Sequence, residues 1–302
     1  MDVRSTMSAN GWFILDKPVG LPSTRAVSIV RRAHGARKAG HAGTLDPAAS
    51  GVLAVALGEA TKTVPHVVDT VKAYRFTMRI GQATDTDDAE GKILAETSER
   101  PSDDELKTAA SGFTGEIDQA PPSYSAIKVD GKRAHALARS GTLPELPARK
   151  VRIDRIELVS RPDPDHAVFE MTCGKGVYVR ALARDLGRAL ACLGHACEIR
   201  RTRTGPFSLA DAMSLDTLSS SDGKKLAGCL LKPETGLAEV PRVDCRPEEA
   251  ARIRNGLPIP YRGPPAMAGA KVWIASEGNL VAIAAVRDSR LHPSRVFAKA
   301  GS

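Results

Sequence analysis

One carboxylate, Asp46, lies in a loop of small residues whose composition suits chemistry. The loop lies within residues 40–53, which read GHAGTLDPAASGVL, and an apolar stretch over 52–57 follows directly. Small residues let a large planar group approach the backbone, while Pro47 fixes the chain and removes an N–H donor beside the acid. Such a carboxylate could act as a nucleophile or as a base. The same pattern also fits an ordinary turn, because Asp and Gly are common turn residues.

Further segments of polar and aromatic residues accompany this loop. They are residues 16–20 (DKPVG) followed by Ser23 and Thr24, then 72–74 (KAY), 119–126 (QAPPSYSA), 176–180 (GVYVR) and 200–205 (RRTRTG). Together with the Asp46 loop, and in the same order, these segments resemble the TruB family, the tRNA pseudouridine synthases that act on the TΨC arm. The resemblance extends from about residue 11 to about residue 207. Agreement of several separate segments in one order makes it specific.

The resemblance implies conversion of uridine to pseudouridine. The N1–C1′ bond breaks, the uracil turns over, and C5 joins C1′, without redox change or energy input, so no cofactor is implied. The base must first leave its stack. A carboxylate then attacks the sugar carbon or removes a sugar proton, and both roles require the ionised form. Burial favours the neutral form of an acid, and a cationic partner opposes this effect.

The resemblance assigns three catalytic residues. Asp46 is implied as the catalytic acid, Arg180 as its ion-pair partner, and Tyr74 as the aromatic residue that stacks on the extruded uracil. Each has a plainer alternative. Arg180 could be a solvated helix residue, and Tyr74 could simply pack in the sheet beside Phe76 and Met78, whose positions share its parity.

Three further residues are implied as substrate contacts. His41 resembles the residue that fills the space left by the flipped base, and Tyr178 resembles a residue lining the site. Lys17 resembles a residue that supports the site, near a phosphate. The alternatives are an unremarkable loop histidine, a packed tyrosine and a solvated turn lysine.

The bulk composition favours a polyanionic partner. The chain has 302 residues, 42% of them hydrophobic, and a net charge of +8. No apolar run approaches the roughly 20 residues of a membrane helix, and residues 1–10 lack a secretory h-region, which favours the cytoplasm. Basic residues gather in four clusters, which suggests phosphate contacts. These clusters are 31–38, 128–139, 149–155 and 200–203.

The cysteines favour reduced thiols over a metal site. Five cysteines occur, and Cys192, His195 and Cys197 lie close together in the sequence. A structural zinc site needs four ligands, usually as two separated pairs, and no fourth ligand or CxxC pair is evident. We therefore predict no metal.

Periodicity predicts an α+β fold, with a helix capped by Ser23 or Thr24, an alternating strand over Ala73–Ile80, and a second helix whose apolar stripe extends from Val179 to Leu190. Short strands and alternating segments predict a mixed, largely antiparallel sheet in a catalytic domain over 11–235, of the type that the resemblance implies. Residues 119–150, rich in proline and basic residues, are predicted to hold a hairpin, Ser125–Val129 followed by a turn at Asp130 and Gly131, and a short helix over 132–140. They could be an insertion that clamps a ligand or an ordinary surface loop, and the resemblance implies an insertion that clamps RNA. Residues 241–302 are predicted to form a small β-rich domain that resembles a PUA-like RNA-binding domain.

The resemblance implies isomerisation of the TΨC-loop uridine, position 55, by a monomeric enzyme that binds the T-arm stem-loop of tRNA. Two alternatives remain. A non-catalytic RNA-binding or tRNA-folding protein would not need a paired acid. A guide-RNA-dependent synthase acting on ribosomal RNA is disfavoured by the insertion and by the absence of a long Lys-rich tail.

Overall fold

The computed structural model describes residues 9–125, 146–220, 226 and 228–298, together with the backbone of 128–129 and 132–133. The helices are α1 (Ser23–Ala33), α2 (Val64–Val68), α3 (Asp103–Gly112), α4 (Val179–Ala189), α5 (Leu215–Ser220) and α6 (Pro247–Arg254). The strands are β1 (Gly11–Lys17), β2 (Ala39–His41), β3 (Ala49–Leu57), β4 (Lys72–Ile80), β5 (Gln82–Thr84), β6 (Ile93–Glu96), β7 (Gly115–Gln119), β8 (Lys128–Val129), β9 (Lys132–Arg133), β10 (Arg149–Asp163), β11 (His166–Cys173), β12 (Gly194–Thr204), β13 (Phe207–Ser208), β14 (Met213–Ser214), β15 (Arg242–Asp244), β16 (Ile259–Pro260), β17 (Lys271–Ser276), β18 (Asn279–Arg287) and β19 (Arg290–Val296).

A ten-stranded mixed sheet forms the large unit. Its strand order is β14-β1-β3-β12-β4-β11-β10-β7, with β2 beside β3 and β13 beside β12. Only the pairs β1–β14 and β3–β12 are parallel in this sheet as described. The predicted α+β class with a mixed, largely antiparallel sheet is therefore confirmed. Strand β12 lies between β3 and β4, although it comes more than a hundred residues after them.

Helix α4 packs over the apolar face of the sheet, where it contacts strand β12. Leu182 and Leu186 of α4 are fully buried against Phe76 and Met78 of β4. Tyr74 belongs to the same face and packs against this core. The helix begins at Val179, so its first turn lies at the edge of the core, next to the loop that holds Asp46.

A second, β-rich unit follows the sheet. It is a five-stranded sheet of order β15-β17-β18-β19-β16, with α6 against it and a hydrophobic core of its own. A 3₁₀ helix over Pro233–Leu237 leads into it. The last strand also contacts the large unit, because Lys62 Nζ donates to the carbonyl of Val296 at 2.7 Å. Its PUA-like character stays a prediction.

Two local predictions are wrong or incomplete. We expected Ser23 or Thr24 to cap α1, but Pro22 is the N-cap residue and no side chain caps the helix there. In the insertion, the hairpin around Asp130 is confirmed by pairing of β8 with β9. The helix predicted over 132–140 is wrong at Lys132 and Arg133, which form β9, and its remainder lies outside the described residues.

Candidate active site

The Asp46 loop is held in place by residues of the first strand and helix. Ser23 Oγ donates to the carbonyl of Leu45 at 2.7 Å and accepts the Leu45 N–H at 2.9 Å. This pair explains why Ser23 does not cap its helix. Two donors converge on the carbonyl of Pro47, namely the Gly20 N–H at 2.8 Å and Lys17 Nζ at 3.3 Å. The residues on both sides of Asp46 are thereby fixed before any substrate binds.

Arg201 braces the same loop from the sheet. Its side chain is 1% exposed, and it donates to the carbonyls of Val52, Gly43 and Thr44 at 2.8, 3.1 and 3.2 Å. Against the larger rise that burial causes, the Arg201 charge also lowers the pKa of the Tyr74 hydroxyl group. One buried guanidinium group therefore braces the Asp46 loop and acts electrostatically on Tyr74. Each acceptor is satisfied by a charged donor, which makes such contacts stronger than neutral hydrogen bonds.

Arg180 pairs with Asp46. Arg180 Nη2 lies 2.8 Å from Asp46 Oδ2, and Nη1 lies 3.2 Å from Asp88 Oδ2. The same two nitrogens donate to the carbonyls of Tyr124 at 3.0 Å and Thr86 at 2.9 Å. Each terminal nitrogen thus faces one carboxylate and donates to one carbonyl oxygen. The Arg180 side chain is 6% exposed and that of Asp46 is 38% exposed, so the pair lies at the wall of an opening, not on a solvated helix face.

The pair opens onto a cavity of about 270 Å³. A single planar base would fit a cavity of this size, which is slightly smaller than typical drug-binding pockets. Asp46 and Arg180 line it together with both tyrosines named from the sequence and with apolar side chains. These tyrosines and apolar residues are Tyr74, Tyr178, Leu45, Val177 and Ile199.

Burial controls the protonation of the surrounding groups. It raises the pKa of both Tyr74 and Tyr178, and the Asp46 charge raises the pKa of Tyr178 further. Both hydroxyl groups are therefore neutral near pH 7. Burial also lowers the pKa of His41, with help from the Arg201 charge, so this imidazole is neutral. Burial lowers the pKa of Lys17 to about 8, although the nearby Asp46 charge opposes the shift.

The structure brings four of the six sequence-predicted residues together at the cavity: Asp46, Arg180, Tyr74 and Tyr178. The other two do not line it. His41 is half-buried at the end of β2, just before the Asp46 loop. Lys17 is fully buried, and its Nζ also donates to the carbonyls of Pro18 and Leu21 at 2.8 Å each. The solvated-turn alternative for Lys17 is wrong, and its contacts support the loop instead of facing a phosphate.

Sequence reasoning missed three residues of the site: Asp88, Gln119 and Arg201. We had placed Arg201 in a basic cluster, but its side chain is buried. Strand parity could have revealed this, because Arg201 shares a face of β12 with Ile199. Asp88 gave no comparable signal, and Gln119 stood out only as the first residue of the segment 119–126, since the partners of both are distant in sequence.

The four basic clusters differ in their exposure and in their ion pairs. Arg31, Arg32, Arg37 and Lys38 are exposed, and among the described residues they form no ion pair. By contrast, the side chains at 150–155 pair with carboxylates, as Lys150 does with Glu116 at 2.8 Å. In the last cluster Arg201 is buried and Arg200 pairs with Asp16 at 2.7 Å. The side chains of 128–139 lie outside the described residues.

The candidate zinc residues have other contacts. His195 Nδ1 lies 3.1 Å from the carbonyl oxygen of Gln82, and the thiol of Cys197 contacts the carbonyl of Thr77. Within the described ranges, no group of three or more His, Cys, Asp or Glu side chains could hold a metal ion. In the same ranges, no helix is both long and apolar enough to cross a membrane.

Comparisons with known proteins assign this mixed sheet, with its aspartate–arginine pair at a cavity lined by tyrosines, to a class of base-modifying enzymes. Residues 31–179 match the model for the TruB family pseudouridylate synthase N-terminal domain. Residues 180–238 match the tRNA pseudouridylate synthase B C-terminal domain. The chain belongs to the TruB family of pseudouridylate synthases.

Relatives and solved structures cover nearly the whole chain. A tRNA pseudouridine synthase B of Dinoroseobacter shibae is 53% identical, over 96% of this chain and 96% of its own. One of a Ruegeria species is 50% identical, over 97% and 98%. Among solved structures, a chain of a Cbf5-Nop10-Gar1 complex aligns with a TM-score of 0.74 at 25% identity, over 96% of this chain and 85% of that chain.

Proposed function

We propose that this protein isomerises uridine to pseudouridine in the TΨC loop of tRNA, at position 55. The observation that carries the proposal is the Asp46–Arg180 pair, 2.8 Å apart, at the mouth of the 270 Å³ cavity. Full-length relatives about 50% identical to this chain carry the name tRNA pseudouridine synthase B, which supports tRNA as the substrate class.

The residues of the cavity suit the steps of the reaction. Asp46 is the one carboxylate lining the described cavity, so it is the group that can attack C1′ or remove a sugar proton. Arg180 forms an ion pair with Asp46 at 2.8 Å and holds this carboxylate at the wall of the cavity. Tyr74, which lines the cavity, offers an aromatic surface to the flipped uracil. Expulsion of water by the base strengthens these interactions.

The RNA phosphate backbone binds to a surface of exposed cations, which are Arg31, Arg32, Arg37 and Lys38. Aromatic residues make up only 4% of the chain, too few for stacking along many bases, so the enzyme reads a folded stem-loop and stacks a single base. It acts as a monomer, because one chain supplies every group of the described site.

Neither alternative function is favoured. A non-catalytic binder has no use for an acid held by a buried arginine at a base-sized cavity. A guide-dependent enzyme acting on ribosomal RNA is disfavoured, because relatives about 50% identical to this chain carry the name tRNA pseudouridine synthase B.

The test is incubation of the purified protein with an unmodified tRNA transcript, followed by mapping of pseudouridine. We expect product at the T-loop uridine. Asp46→Asn should remove turnover while tRNA affinity stays within about threefold, because the change deletes a charge and little contact area. Asp104→Asn, on an exposed helix carboxylate, is the matched control. If Asp46→Asn keeps about one tenth of the wild-type rate or more, the assignment of Asp46 as the catalytic acid is contradicted.

A further inference from the structure

The segment Gln119 to Ser125 has no role in the proposed reaction so far. It leaves the end of β7 and enters the insertion. We call residues 119–125 the strap. The strap contacts α4 and the residue before it at three points, through Gln119, Arg180 and Arg184, and these contacts connect residues about sixty positions apart in the sequence.

Gln119 makes the first contact with both ends of its side-chain amide. Its Oε1 accepts the N–H of Tyr178 at 2.8 Å, and its Nε2 donates to the carbonyl of Tyr178 at 3.2 Å. Gln119 is only 2% exposed. Tyr178 is the N-cap residue of α4, where free backbone N–H groups normally need a partner. Gln119 therefore acts as a cap supplied from another strand.

The two arginines fasten the rest of the strap. Arg180 Nη2 donates to the carbonyl of Tyr124 at 3.0 Å. Arg184, one helical turn later, donates from Nη2 to the carbonyl of Ala120 at 2.8 Å and pairs through Nη1 with Asp87 at 2.9 Å. The start of the insertion is thus fixed to the first two turns of α4.

The position of α4 decides the geometry of the candidate catalytic pair. Tyr178 lines the cavity, and Arg180 contacts Asp46 two residues further along. A shift of this turn by a fraction of an ångström would lengthen a 2.8 Å contact, and small misplacements of catalytic groups are costly. We infer that Gln119 is a positioning residue that sets Tyr178 and Arg180 against Asp46. The expected loss of turnover rests on the proposed function, whereas the expected effect on the backbone at Tyr178 does not.

The test compares Gln119→Leu and Gln119→Glu with the wild type. Gln119→Leu removes both hydrogen bonds at similar volume. We expect the single-turnover rate to fall about tenfold or more, with the tRNA dissociation constant within about threefold. Gln82→Leu is the matched control, because the Gln82 amide bonds only to Glu96 at the surface. Its rate should equal that of the wild type.

Gln119→Glu supplies a signature that a general packing role would not give. The protonated carboxyl can reproduce both hydrogen bonds, whereas the ionised form places an oxygen anion against the Tyr178 carbonyl. The rate relative to the wild type should therefore rise as the pH falls from about 8 to about 6. The charged groups that act on Tyr178 are Asp46, Arg149 and Arg180, and all three are present in both proteins, so their effect cancels in the ratio.

Hydrogen exchange of the Tyr178 amide in the free protein gives a readout that does not depend on activity. It should be faster in Gln119→Leu than in the wild type and in Gln82→Leu. Unchanged exchange, or wild-type turnover in Gln119→Leu, would overturn the inference. If Gln119→Leu does not fold, a pH-independent rate ratio for Gln119→Glu would overturn it instead. A wild type that produces no pseudouridine would refute the proposed function, while the exchange result would still decide the role of Gln119.

Discussion

Replacement of Arg180 by lysine tests the fork geometry of the Asp46–Arg180 pair. Arg180 spreads two nitrogens over Asp46, Asp88, Thr86 and Tyr124. Lysine keeps the charge but has a single nitrogen, so it cannot reach all four acceptors. The side chain of Asp88 is 9% exposed and that of Asp46 is 38% exposed. The free-energy cost of an unpaired carboxylate is greater where the carboxylate is more buried. The lysine should therefore pair with Asp88 and leave Asp46 unpaired.

The size of the effect follows from the lost contact. A hydrogen bond to a charged group contributes about 1.5–3 kcal/mol. If that contribution is needed in the transition state, its loss lowers the rate by about 10- to 150-fold. Global stability should fall less in Arg180→Lys than in Arg180→Ala, which would leave the buried Asp88 unpaired at a cost of about 3–5 kcal/mol.

The assay is single-turnover formation of pseudouridine on an unmodified tRNA transcript, with binding and thermal unfolding measured in parallel. Arg188→Lys is the matched control, because Arg188 lies on the same helix but is 67% exposed and has one weak pair, at 3.7 Å from Asp185. A rate for Arg180→Lys within about threefold of the wild type would show that the fork is not needed.

Other measurements test the remaining parts of the picture. Lys17 loses its proton near pH 8 in the folded protein and near 10.5 in the unfolded chain, so the unfolded state binds more protons between these values. The free energy of unfolding of the wild type should therefore rise relative to Lys17→Met by about 2 kcal/mol between about pH 8 and about pH 10, as urea titrations would measure, and parallel curves would refute this. EDTA should leave turnover unchanged, because the isomerisation requires no Lewis acid and a zinc site at Cys192, His195 and Cys197 would lack a fourth ligand; loss of turnover restored by zinc would contradict this. A T-arm hairpin should be turned over well and a linear strand of the same sequence poorly, with log affinity falling by about 0.7–0.9 per phosphate contact per log unit of salt; equal rates without a salt effect would exclude shape reading.

Local patterns in the sequence predicted the elements of the fold well. Alternation over Lys72–Ile80 predicted β4 and the inward face of Tyr74, and helical spacing after Tyr178 predicted α4. The Asp46 loop was identified because its neighbours are small and because the family pattern includes it. These features depend on neighbouring residues, which a sequence displays directly.

The buried polar contacts could not be predicted in the same way. Arg201 looked like one of several surface cations, and Ser23 looked like a helix cap, until the structure placed each beside the Asp46 loop. The partners of Gln119 and Asp88 are about sixty to ninety residues away, at Tyr178 and Arg180. Whether such a side chain is solvated or buried depends on tertiary contacts, and composition carries no record of them.

The central place of β12 in the sheet has a consequence for the synthesis of the chain. Strands β3 and β4 pair with β12 and not with each other, so their facing edges stay open until residues 194–204 have left the ribosome. At Gly51, where β12 approaches β3, a Cβ atom would lie 2.1 Å from the carbonyl oxygen of Arg201. Pairing of β12 with β3 therefore requires glycine at this position. Non-local pairing of this kind slows folding and leaves strand edges that attract other chains. A nascent chain ending before residue 194 should thus be prone to aggregation and a candidate client for chaperones.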